Sequence, residues 1–161
     1  MATVYISLGS NIDREKYVKQ GINALTHFFG ELTLSRLYES EAVGFKGTPF
    51  YNMVISLTTS LTIIEVSEQL RAIEYANGRS KNAKKFSPRT LDLDILLYDD
   101  LILEHPAQIP RHEITTNAFV LWPLSEIAPA LKHPILQKTY QELWQGFNKK
   151  SQQLKPVPKC W

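Results

Sequence analysis

The chain has 161 residues, 43% of them hydrophobic and 21% charged, with a formal net charge of +2. This is ordinary globular composition for one domain large enough to bury a core, and the balanced charge argues against nucleic-acid or membrane partners. The single cysteine, Cys160, excludes an internal disulfide and a cysteine-based metal site, which fits a reducing cytoplasm.

The predicted elements run as follows. "TVYISLGSN" is a short buried strand that ends in a Gly-Ser-Asn turn. Asn11 or Asp13 is expected to cap a helix that carries Val18, Ile22, Leu25 and Phe29 at helical spacing and closes at Gly30. "LTLSRLYESEAV" and the β-branched "FYNMVISLTTSL" each predict a strand. "TIIEVSEQLRAIEYANGR" predicts a second amphipathic helix, with Ile63, Val66, Leu70 and Ile73 on one stripe and Gly78 past its end. "TLDLDILLYDD" is the fourth strand. "NAFVLWPLSEIAP" predicts a short helix with Pro123 inside it, and a last helical stretch is expected near Gln141 to Phe147. The tail from Gln152 is expected to be irregular. The order is β-α-β-β-α-β with extra C-terminal helices. It implies an α+β, ferredoxin-like sandwich with helices on one face of an antiparallel sheet, and a site on the open face or at the sheet's end.

The fourth strand poses the chemical question. Leu91, Leu93 and Ile95 alternate with Asp92 and Asp94, so the two carboxylates share a face about 7 Å apart. Such a pair is either solvated or shares a cation, and Mg²⁺ accepts one or two carboxylates when phosphate oxygens and water complete its shell. Upstream, Arg79, Lys81, Lys84, Lys85 and Arg89 lie in a loop-forming stretch rich in Gly, Ser, Asn and Pro. A basic loop beside paired carboxylates suits a magnesium-nucleotide and phosphoryl-transfer chemistry. The chain has neither G-x-x-x-x-G-K-[ST] nor G-x-G-x-x-G, which excludes a P-loop ATPase and a protein kinase. The 14-residue segment from Gly78 to Leu91 is expected to act as a lid that ATP phosphates draw inward.

"YISLGSNI", "FYN" at 50–52, "GR…SPRTLDLDILLY" and "AFVLWPLSEIAP" resemble the 6-hydroxymethyl-7,8-dihydropterin pyrophosphokinase (HPPK) family of folate biosynthesis over most of the chain. The resemblance implies a ferredoxin-like fold and transfer of pyrophosphate from ATP to the pterin hydroxymethyl group, with release of AMP. It implies that Asp92 and Asp94 hold two Mg²⁺ ions and that Arg79 and Arg89 contact the phosphates. Ser40, Val43, Phe50, Asn52 and Phe119 match the pterin-binding positions, with the two rings stacking on opposite faces. Glu74, Lys81, Lys85, Phe86, Ile95, Arg111 and His112 match the ATP side. Phe86 stands where the family often has Trp, Lys81 and Lys85 where arginines are common, and Asn117 where an arginine is frequent. Either Arg111 or His112 takes the nucleotide contact in "IPRHEI". ATP and the dihydropterin are the expected partners of a cytoplasmic monomer. A non-catalytic pterin- or nucleotide-binding relative is the alternative. An RNA-binding module on the same topology is disfavoured, because Asp92 and Asp94 would repel phosphate from the sheet face.

Overall fold

The computed structural model describes residues 1–40, 48–79, 90–105 and 107–161. In chain order the elements that shape the fold are β1 (Ala2–Ser10), α1 (Arg14–Phe29), β2 (Thr33–Leu34), β3 (Leu37–Ser40), β4 (Phe50–Thr59), α2 (Ile63–Ala76), β5 (Asp92–Tyr98), α3 (Glu113–Thr116), α4 (Ala118–Ile127), α5 (Tyr140–Gln145) and β6 (Leu154–Val157). Among the described residues the strands form one antiparallel sheet of order β5-β1-β4-β3-β6, with β2 also on β4. The α+β class read from the sequence is what the chain adopts.

Period-two alternation builds the lower core. Val4, Ile6 and Leu8 of β1, Met53, Ile55 and Leu57 of β4, and Leu93 and Ile95 of β5 face Val18, Ile22 and Leu25 of α1 and Val66, Leu70 and Ile73 of α2. The helix ends are set by local chemistry. Thr62 and Glu65 form a reciprocal capping box at the start of α2, and Gly78, at φ 90°, lies just past its end. The start of α1 differs from expectation. Asp13 occupies the cap position at φ 44° and makes no side-chain cap bond, while Asn11 Nδ2 donates to the carbonyl of Thr48.

Three further expectations are corrected. Helices cover both faces of the sheet. Val54, Leu96 and Leu97 face Ile114 of α3, Val120, Leu121 and Leu124 of α4, and Tyr140 of α5, which makes a second, upper core. A helix as apolar as α4 is stable only when buried, and the second sheet face is what buries it. The expected second strand is split at Ser35. The pairing shifts from Leu34↔Ile55 to Tyr38↔Asn52, one extra residue, and Ser35 Oγ fills the gap by accepting the Val54 N–H at 2.9 Å. Finally, the tail is not irregular throughout, because β6 pairs with β3 from Leu37↔Val157 to Ser40↔Leu154. The free edge of β3 provides the partner, which local sequence does not reveal. Among the described residues no helix is long and apolar enough to cross a membrane.

Candidate functional site

The upper face carries the polar row. β5 pairs with β1 through Ser7↔Asp94 and Gly9↔Asp92, and β1 pairs with β4 through Gly9↔Asn52. Two inter-strand steps therefore separate Asp92 from Asn52, about 10 Å. A second bulge explains why polar residues end where the upper core begins. Ile6 pairs with Ile95 but Tyr5 pairs with Leu97, so Leu96 is the extra residue. Leu96 and Leu97 thus both pack into the upper core, while Asp92 and Asp94 stay beyond its rim.

Asp92 and Asp94 are partly covered, with side chains 36% and 22% exposed. Burial, followed by the charge of Asp92, pushes the Asp94 carboxyl up from 3.8 to about 6, against the pull of Arg111 and Arg71. Two arginines flank the pair: Arg79 Nη1 lies 3.7 Å from Asp92 Oδ1, and Arg111 Nη2 lies 3.7 Å from Asp94 Oδ1. Arg111 also pairs with Glu113, and its backbone N–H donates to Leu96 at 3.0 Å. His112 is exposed at the start of α3. Of the two residues left open by the sequence, Arg111 is the one placed against the carboxylates.

Glu74 sits beneath this row and is fully buried. Its Oε2 accepts the Leu93 N–H at 2.8 Å, and its Oε1 accepts Arg71 Nη1 at 2.5 Å and Arg79 Nη1 at 3.0 Å. A buried carboxylate needs this degree of pairing. From this buried position Glu74 reaches the face of the site through Arg71 and Arg79. Ile95 is 6% exposed with its side chain in the lower core, so the expected contact with ATP falls to its backbone atoms.

The other half of the row lies across β1. Asn52 Nδ2 donates to Ser40 Oγ at 2.6 Å, and both residues are buried. Phe50 stands two residues before Asn52 on the same face, and Phe119, in the first turn of α4, packs on the edge of the upper core. Gly9 allows this closeness. A Cβ there would lie 3.3 Å from Asn52 Oδ1 and 3.6 Å from Phe50 Cδ1. Val43, Lys81, Lys85, Phe86 and Arg89, and with them the expected lid, lie outside the described residues. Sequence reasoning missed Arg71, the second arginine partner of Glu74. The signal for Arg71 was present, since it precedes Glu74 by three residues on one helix.

Paired carboxylates flanked by arginines, beside a polar and aromatic edge, are groups of the kind that can hold a phosphate-bearing ligand and a flat heterocycle. Residues 5–129 match the family model of 7,8-dihydro-6-hydroxymethylpterin-pyrophosphokinase (HPPK). The chain is 39% identical over 145 residues to the 2-amino-4-hydroxy-6-hydroxymethyldihydropteridine pyrophosphokinase of Aquifex aeolicus, a match covering 88% of this chain and 90% of that one. It is 37% identical over 160 residues to the protein of the same name from Bacillus subtilis, covering 91% of each. The fold also matches Plasmodium falciparum HPPK-DHPS solved with pterin and p-hydroxybenzoate, at a TM-score of 0.74 and 15% identity, over 92% of this chain and 43% of that one. The chain therefore spans less than half of that longer protein. It belongs to the HPPK family.

Proposed function

We propose that the chain transfers pyrophosphate from ATP to the hydroxymethyl group of 6-hydroxymethyl-7,8-dihydropterin, within a single domain over residues 1–161. The hydroxyl oxygen gives up its proton to solvent and bonds to the β-phosphorus, the bond from that phosphorus to the oxygen of the α-phosphate breaks, and AMP leaves with that oxygen. One observation carries the reading: the Asp92–Asp94 pair and the Asn52–Ser40 edge share one sheet face, joined across Gly9. Phosphate chemistry and heterocycle recognition are thereby held at a fixed separation, the arrangement that a two-substrate transfer needs.

The donor set fits Mg²⁺. Among the described residues no cluster of three or more His, Cys, Asp or Glu is present, so the protein would supply two carboxylates and leave the other positions to water and phosphate oxygens. The raised carboxyl of Asp94 fits as well, since a divalent cation relieves the repulsion that disfavours its anion. When bound there, Mg²⁺ supplies charge neutralisation for the phosphates. Arg79 and Arg111 hold positive charge at the two ends of the carboxylate pair, where they can take up charge on the transferred group. Glu74 holds Arg79 in place from below. The Asn52 amide offers donor and acceptor to the heterocycle edge, and Phe50 and Phe119 offer rings to its faces. A cytoplasmic monomer is the proposed setting, and the single cysteine suits a reducing compartment.

The test is to incubate the protein with Mg-ATP and the hydroxymethyl dihydropterin and to identify the nucleotide product. AMP is expected. ADP would make it an ordinary kinase, and no nucleotide product would leave it a binding protein.

A further inference from the structure

On the upper face, Arg36 meets Glu126 and Tyr38 meets Trp122, so residue numbers rise along β3 as they fall along α4. Phe119, Trp122 and Glu126 stand three and four residues apart, which places them along one stripe of α4. Tyr38 and Ser40 stand two apart on one face of β3. The two rows are fastened at one end. Tyr38 is fully buried, and its ring lies 4.8 Å from that of Trp122. Its hydroxyl donates to Glu126 Oε1 at 2.5 Å. The same carboxylate accepts the Arg36 backbone N–H at 2.8 Å and Arg36 Nε–H at 3.0 Å. Arg36 Nη2 donates to the Tyr38 hydroxyl at 3.1 Å, which closes a three-residue ring of hydrogen bonds. The Arg36 guanidinium also lies 5.4 Å from the Tyr38 ring and 5.8 Å from that of Trp122.

The opposite end of the same two rows holds Ser40, bonded to Asn52, and Phe119. Glu126 and Phe119 are seven residues apart on α4, about 10 Å along its axis, with Pro123 between them, and Trp122, which packs on Tyr38, lies one turn from Phe119 on the near side of that proline. A displacement at Glu126 is therefore carried to Phe119. Arg36 is 54% exposed, so its ion pair adds little stability by itself. Geometry is where this latch has leverage.

We propose that Tyr38, Glu126 and Arg36 form a positioning latch that sets the distance between Phe119 and the Ser40–Asn52 edge. In this way the latch governs affinity for the heterocyclic substrate without touching it. The inference rests on the proposed function, which assigns that slot to the pterin.

Glu126→Gln and Tyr38→Phe each break the ring of hydrogen bonds while keeping side-chain volume. Each is expected to raise KM for the hydroxymethyl dihydropterin about tenfold, the effect of one lost buried hydrogen bond. KM for ATP, and kcat at saturating pterin, are expected to stay within about twofold. The double variant should be no worse than the worse single one, because both act on the same latch. Arg36→Ala removes only the exposed arm and is expected to fold normally with a rise of about threefold, which keeps the test open if a buried variant unfolds. Pterin binding without ATP, measured by titration calorimetry, should weaken by the same factors. Equal rises in both KM values alongside a lowered melting temperature would overturn the latch as a specific device. So would an unchanged pterin KM in folded variants of an active protein. Wild-type protein that forms no AMP would overturn the proposed function and this inference together.

Discussion

Asp94→Asn should stabilise the metal-free protein while abolishing its activity. Burial and the charge of Asp92 raise the Asp94 carboxyl from 3.8 to about 6. In the folded state the proton is bound more tightly than in the unfolded state. The ionised form therefore destabilises the fold above pH 6, and stability returns as pH falls through about 6 toward 4. Two pH units at 1.36 kcal/mol each set a ceiling of about 3 kcal/mol. Solvent reaches Asp94, which is 22% exposed, and its titration is shared with Asp92, so about 1–2 kcal/mol is the expected gain for the neutral isostere at pH 7.5. For a chain of this length that is a rise in melting temperature of about 3–6 °C. The assay is thermal unfolding of wild type and variant in EDTA at pH 7.5 and pH 4.5. The variant should melt higher at pH 7.5, and the gap should shrink markedly at pH 4.5. With Mg²⁺ and a non-hydrolysable ATP analogue the order should reverse, and AMP formation by the variant should fall at least about a hundredfold. A variant that melts lower than wild type in EDTA at pH 7.5, or a gap that does not depend on pH, would refute the assignment of electrostatic strain to this carboxylate.

Arg79→Ala should lower kcat by about 3 kcal/mol of barrier, roughly two orders of magnitude, with a smaller effect on KM for ATP. Lys84→Ala, assayed in parallel, should do much less, and equal losses would reduce the arginine to one part of a diffuse basic surface. Glu74→Gln removes the charge that two arginines and the Leu93 N–H converge on, so urea unfolding should report a loss of about 3 kcal/mol. A change under about 0.5 kcal/mol would mean that solvent already satisfies those groups. Gly9→Ala places a methyl 3.3 Å from Asn52 Oδ1 and should raise KM for the pterin several-fold while leaving KM for ATP unchanged. Equal changes in both constants would remove the link between Gly9 and the heterocycle slot.

Local pattern determined much of this protein. The alternation in "LDLDIL" put Asp92 and Asp94 on one face, and helical spacing identified the buried stripes of α1 and α2, because period and polarity are properties of consecutive residues. Turn chemistry marked Gly30 and Gly78 for the same reason. What lay beyond the sequence depended on contacts between distant segments. Glu74 reads in the sequence only as an acidic residue on the ATP side, yet β5 buries it and turns it into an anchor for Arg71 and Arg79. Neither bulge has a local signature, since each is defined by a register against another strand. The tail forms β6 only because β3 leaves an edge to pair with. That Arg111 lies beside Asp94 while His112 is exposed follows from where α3 begins relative to β5. A side chain's type is written in the chain, but its burial and partners follow from long-range packing, and these decide which charges are strained, which are anchored and which face a ligand.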